Sequence, residues 1–128
     1  MQVLDVFAYI HAKSIIYRDL KPENLLLSPK GYLKVIDWGF AKEIEDNTTY
    51  TMCGTPEYVA PEVVNGSGHG KGADYWALGC NLYEMVVGVS PFVGDDVSDT
   101  LAIYQRITAG VSAARARERK RDTEIPRD

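Results

Sequence analysis

The segment Tyr17-Arg18-Asp19-Leu20-Lys21-Pro22-Glu23-Asn24 holds a carboxylate, a cation two residues later and an amide five residues after the carboxylate. Phosphoryl transfer calls for such a set. Asp19 can accept the proton of an attacking hydroxyl, and Lys21 can offset charge on the moving phosphoryl group. The Asn24 amide oxygen can ligate Mg²⁺ without adding negative charge. Thirteen residues after Asn24 stands Asp37-Trp38-Gly39. Asp37 offers a second hard oxygen ligand to the same site, and Gly39 lets the backbone turn there. Glu62 follows, closing Ala60-Pro61-Glu62.

These residues need elements to hold them. Val3, Phe7 and Ile10 recur at helical spacing and predict a helix from about Gln2 to Lys13. Ile15-Ile16-Tyr17 is a β-prone run. Leu25-Leu26-Leu27 and Tyr32–Ile36 flank Ser28-Pro29-Lys30-Gly31, which reads as the turn of a small β-hairpin. The Asp19 segment is therefore a loop held at both ends. Residues 38–58 show no sustained period and predict a loop that is functional or disordered. Asp74 to Val87 reads as a helix apolar almost all round, closed by Gly88, and such a helix belongs in an interior. Asp96 to Ala109 reads as an amphipathic helix with Leu101, Tyr104 and Ile107 on one side and Gly110 as its stop. The predicted class is α+β, mainly α.

Composition narrows the function further. The chain has 128 residues, 45% of them apolar and 25% charged, which suits one small domain. Its net charge of −4 argues against broad binding to a nucleic-acid backbone. Residues 111–128 are Ala/Arg/Glu-rich and predict a charged, disordered tail after a body of residues 1–110. Cys53 and Cys80 form no C-x-x-C, so two reduced thiols and a cytoplasmic setting are expected. The most apolar stretch is broken by Asn81, Glu84, Gly88 and Pro91, so no membrane span is expected. Gly66-Ser67-Gly68-His69-Gly70-Lys71-Gly72 fails the phosphate-loop pattern, because Gly72 stands where Ser or Thr is needed. His11 and His69 belong to no motif and read as packed or solvated side chains.

Tyr17–Asn24, Asp37–Gly39, Cys53–Tyr58 and Ala60–Glu62 stand in the order of the protein-kinase signature set. The chain resembles the cyclic-nucleotide-dependent branch of the AGC serine/threonine kinases. Lys21-Pro22-Glu23-Asn24, Gly39-Phe40-Ala41-Lys42 and Asp74-Tyr75-Trp76-Ala77-Leu78-Gly79 carry the same likeness. The resemblance implies part of a kinase C-lobe with a small hairpin, using ATP and Mg²⁺. It implies Asp19 as catalytic base, Lys21 as γ-phosphate contact, and Asn24 and Asp37 as metal ligands. Thr55 would bond Asp19 and Lys21, and Asp74 would anchor the catalytic loop's backbone. Glu23 and Glu84 match positions that pair with a substrate arginine, so the implied partner is a basic protein or peptide. Thr51 matches the activation-loop phosphosite, with Arg18 and Lys42 at the phosphate-pairing positions.

Some features depart from that pattern. No G-x-G-x-x-G loop or Val-Ala-Ile-Lys-like strand precedes the helix at the start, so the N-lobe is expected to be absent. Weak or no transfer by this chain alone is then expected, and any regulatory domain would lie outside it. The alternatives are a non-catalytic binding module or a truncated product that does not fold. Trp38 replaces the usual Phe of its tripeptide, and Asn81 puts an amide in an apolar helix.

Overall fold

In the computed structural model, residues 2–96 and 98–110 are described. The expectation for 111–128 falls outside them. Helix α1, Gln2–Ala12, buries Val3, Phe7 and Ile10 along one stripe. Strand β1, Ile15–Ile16, follows after Ser14, which takes a left-handed backbone (φ 58°) to turn the chain. Strands β2, Leu25–Leu27, and β3, Leu33–Val35, pair antiparallel with Leu26 opposite Lys34. The turn between them forms as Pro29 and Gly31 suggest. Gly31 N donates to Ser28 O at 2.9 Å, and Gly31 takes φ +80°, which a side chain would resist.

Residues 38–58 are not a featureless loop. Strand β4, Lys42–Glu43, pairs antiparallel with β1, placing Lys42 opposite Ile16. The segment adds two 3₁₀ turns, Glu45–Asn47 and Pro56–Tyr58. A one-turn helix, α2, follows at Pro61–Val64. Helix α3 spans Lys71–Val87, starting three residues before the expected Asp74. It ends as expected at Gly88, in left-handed backbone (φ 87°), whose N–H donates to Glu84 O. Helix α4 is Thr100–Thr108, shorter than expected, because Asp99 caps it by accepting from Ala102 N at 3.0 Å.

One core joins these pieces. Phe7 and Ile10 of α1, Tyr17 and Leu20 of the following loop, Ala77 and Cys80 of α3, and Ile103 and Ile107 of α4 pack together with Tyr58 and Phe92. Phe7, Leu20 and Ile107 are fully buried, a burial that contributes about 1.5–3 kcal/mol for each such side chain.

Two sequence expectations need correction. Helix α3 is not interior all round: Leu82, Met85 and Val86 are exposed, Val86 at 86%. Its apolar composition says nothing about which face has a neighbour. In α4 the buried pair is Ile103 and Ile107, one turn apart, whereas Leu101 points outward. Both cysteines are free, as expected, with Cys80 buried in α3 and Cys53 half-buried. No helix among the described residues is long and apolar enough to cross a membrane.

Candidate active site

The loop between β1 and β2 starts from a fixed point. Asp74, in the first turn of α3, has no exposed surface. Its carboxylate accepts from Tyr17 N at 2.9 Å, Arg18 N at 2.8 Å and His11 Nε2 at 2.7 Å. Asp74 thus anchors the loop's backbone, as the sequence implied. The chain then bends sharply: Arg18 lies in left-handed backbone at φ 69°. A β-capable residue held in that region costs of order 1–3 kcal/mol, and surrounding structure must enforce it. Gly54 leaves room for it. A Cβ on Gly54 would sit 2.8 Å from Arg18 O, so the two segments can touch only through glycine.

Past the bend, four side chains converge. Asp19 is buried, and its Oδ1 accepts from Thr55 Oγ1 at 2.8 Å. Its Oδ2 accepts from Asn24 Nδ2 at 3.1 Å and lies 3.5 Å from Lys21 Nζ. Asn24 Nδ2 also donates to Asp19 O at 2.9 Å, and Lys21 Nζ donates to Thr55 Oγ1 at 2.9 Å. A carboxylate, an ammonium, an amide and a hydroxyl therefore form one closed network. Charge-assisted bonds of this kind are about twice as strong as neutral ones.

Asp37 approaches from the other hairpin strand. Ile36 N donates to Asn24 O at 3.0 Å, which ties the end of β3 to the same loop. Asp37 is exposed, in left-handed backbone at φ 55°, and its Oδ1 accepts from Gly39 N at 3.3 Å. Tyr17 lies between the two acids and donates its hydroxyl to Ile36 O. Burial, then the negative charges of Asp19 and Asp37, push its phenol up to about 12. Trp38 packs edge-on against Tyr17 with ring centroids 5.0 Å apart, yet it stays 42% exposed.

The oxygen donors here suit a hard cation. Asn24 offers an amide oxygen and Asp37 a carboxylate. Oxygen donors of this kind are those Mg²⁺ takes, with the rest of its shell left to phosphates and water.

An acidic patch flanks the network. Glu84 of α3 accepts from Tyr58 Oη at 2.6 Å. Glu57 was not singled out from sequence, but it belongs with Glu84 and Glu23: burial, then the Glu84 charge, then that of Glu23, raise its carboxyl above the ordinary value. The Tyr58 phenol is raised too, by burial and then by Glu84. On the opposite side, Arg18 Nε donates to Phe40 O at 2.7 Å, while its Nη1 is buried without a partner among the described residues. Lys42 Nζ donates to Thr49 Oγ1 at 2.9 Å, and Thr51 is exposed. Neither histidine is solvated. His11 stacks on Phe7 at 5.3 Å. His69 exchanges backbone bonds with Thr49 at 2.8 and 2.9 Å, and burial, then Arg18, lower its pKa.

Residues 1–127 match the family described as protein kinase domain, and the chain belongs to that family. It is 50% identical over 109 residues to the cAMP-dependent protein kinase catalytic subunit of Dictyostelium discoideum. It is 51% identical over 110 residues to cGMP-dependent protein kinase, isozyme 1, of Drosophila melanogaster. It is 50% identical over 109 residues to the human cAMP-dependent protein kinase catalytic subunit PRKX. Each alignment covers 85% of this chain but only 16%, 14% and 29% of the respective relative. The likeness to the cyclic-nucleotide-dependent branch of the serine/threonine kinases is thus shown, over a fraction of those proteins' length.

Proposed function

We propose that residues 1–110 are part of the C-lobe of a serine/threonine protein kinase that transfers the ATP γ-phosphate to hydroxyls of basic peptides. The observation that carries this reading is the Asp19–Lys21–Asn24–Thr55 network, with Asp37 next in sequence to Ile36, whose N–H bonds Asn24 O. Asp19 accepts the proton of the substrate hydroxyl as its oxygen bonds to the γ-phosphorus and ADP departs with the bridging oxygen. Lys21 stabilises charge on the transferred group, and Thr55 holds both side chains in register. Asn24 and Asp37 would hold Mg²⁺, which would offset negative charge on the ATP phosphates. Glu23 and Glu84 receive an arginine of the substrate.

Thr51 is the phosphosite of the switch. A phosphate there carries about −1.5 to −2 charges and needs cations. Arg18, whose Nη1 has no partner among the described residues, and the exposed Lys42 supply them, ordering residues 40–58. These 128 residues include no G-x-G-x-x-G loop to position ATP, so transfer by the chain alone is slow. The two free thiols agree with a cytoplasmic protein.

Purified chain with Mg·ATP and an arginine-rich peptide tests the reading. Phosphate transfer lost in Asp19→Ala supports it. Peptide binding without any transfer favours instead the reading of this chain as a binding module.

A further inference from the structure

Asn81 sits in the middle of α3 with 1% of its surface exposed. An amide there is costly. Asparagine is a weak helix former, and a buried polar group must find partners. Asn81 finds them on one side only. Its Nδ2 donates to Ala77 O at 2.7 Å, one turn back in the same helix, and to Leu20 O at 3.2 Å. Both partners are carbonyls, so the amino end must face them. Its Oδ1 is buried without a partner among the described residues. An apolar side chain would serve the packing of α3 without that unpaired oxygen. What the amide adds is the bond to Leu20, whose side chain is fully buried between Asp19 and Lys21 in sequence.

The position along α3 gives this bond its meaning. Asp74 and Asn81 are seven residues apart, about two helical turns, so they share a face roughly 10 Å from each other. Asp74 accepts from Tyr17 N and Arg18 N, immediately before Asp19. Asn81 donates to the carbonyl immediately after it. The loop atoms they hold span four residues, an extended reach of at most about 14 Å, so one helix face can grip both ends together. The two grips have opposite polarity, matching N–H groups on one side and C=O on the other.

We propose that Asn81 is a positioning residue: with Asp74 it forms a two-point clamp on α3 that fixes the backbone on both sides of Asp19. It does not touch substrate. It acts through Leu20 on the directions in which Asp19 and Lys21 point. The catalytic consequence rests on the phosphoryl-transfer reading above; the clamp itself does not.

The test uses the whole chain and ¹⁵N relaxation. In the unaltered protein, Tyr17, Arg18, Leu20 and Lys21 show order parameters near ~0.85, the rigid-backbone value. In Asn81→Leu, Leu20 and Lys21 fall below ~0.6 while Tyr17 and Arg18, still held by Asp74, stay near ~0.85. Unchanged values at Leu20 and Lys21, or an equal fall along the whole chain, overturn the clamp. Asn81→Ala, which adds no bulk, gives the same local pattern and serves if the leucine variant does not fold. In the transfer assay, kcat falls about tenfold in either variant with KM for Mg·ATP unchanged, as for lost transition-state positioning. An unchanged kcat overturns the catalytic part. Absence of transfer by the unaltered chain favours the binding-module reading, and the relaxation data then decide the clamp alone.

Discussion

Asp74→Asn is the sharpest probe of how α3 holds the catalytic loop. The carboxylate serves three donors: Oδ2 accepts from His11 Nε2 and Tyr17 N, and Oδ1 from Arg18 N. An asparagine keeps one oxygen. Placed where two donors meet, it retains His11 and Tyr17 but turns its own N–H toward Arg18 N. That forfeits one hydrogen bond to a charged acceptor, worth about 1.5–3 kcal/mol, and leaves a buried donor unsatisfied for about 1–3 kcal/mol more. The expected loss is about 3–5 kcal/mol, a large share of the ~5–15 kcal/mol typical of a domain. Urea denaturation followed by fluorescence of Trp38 and Trp76 reads it. With a slope of about 1–3 kcal/mol per molar urea, the midpoint falls by roughly 1–5 M or folding is lost. A loss under about 1 kcal/mol would refute the reasoning, because it would mean the loop's donors have other partners or water.

Three further outcomes are expected. Burial, then Arg18, depress the His69 pKa below its ordinary 6.5, so the unfolded chain binds that proton more readily. Stability should therefore fall as pH drops below about 6.5, and His69→Gln should flatten that slope in thermal melts at pH 5–8. The Cys80 thiol is pushed up to about 12, chiefly by burial, so iodoacetamide at pH 8 should label Cys53 and spare Cys80 until denaturant is added, read by mass spectrometry. Glu84→Gln removes a negative charge beside Glu57 and Glu23, so it should weaken binding of an arginine-rich peptide severalfold at low salt and little at high salt, measured by titration calorimetry.

The elements that depend on local pattern were legible in the sequence. Val3, Phe7 and Ile10 mark α1, and Pro29 with Gly31 marks the hairpin turn. Strand β4 was not legible, because Lys42 and Glu43, paired with Ile16 and Ile15 from far along the chain, are too few to show alternation. The start of α3 was missed because Gly72 lowers helix propensity where tertiary packing decides. Its exposed face was missed because hydropathy cannot report an absent neighbour. At the site, motif spacing pointed to Asp19, Lys21, Asn24 and Asp37. Glu57 and His11 gave no such signal: Glu57 joins Glu84 only through the fold, and His11 meets Asp74 across 63 residues.

The most direct test of the central claim is paramagnetic broadening by Mn²⁺ with a non-hydrolysable ATP analogue. Mn²⁺ takes the oxygen ligands that Mg²⁺ takes. The amide signals of Asn24, Asp37 and Gly39 should broaden first, with Asp19 and Lys21 next, and Asn24→Ala should reduce the effect. Broadening confined to Glu23, Glu57 and Glu84, or none at Asp37, would contradict a shared cation site.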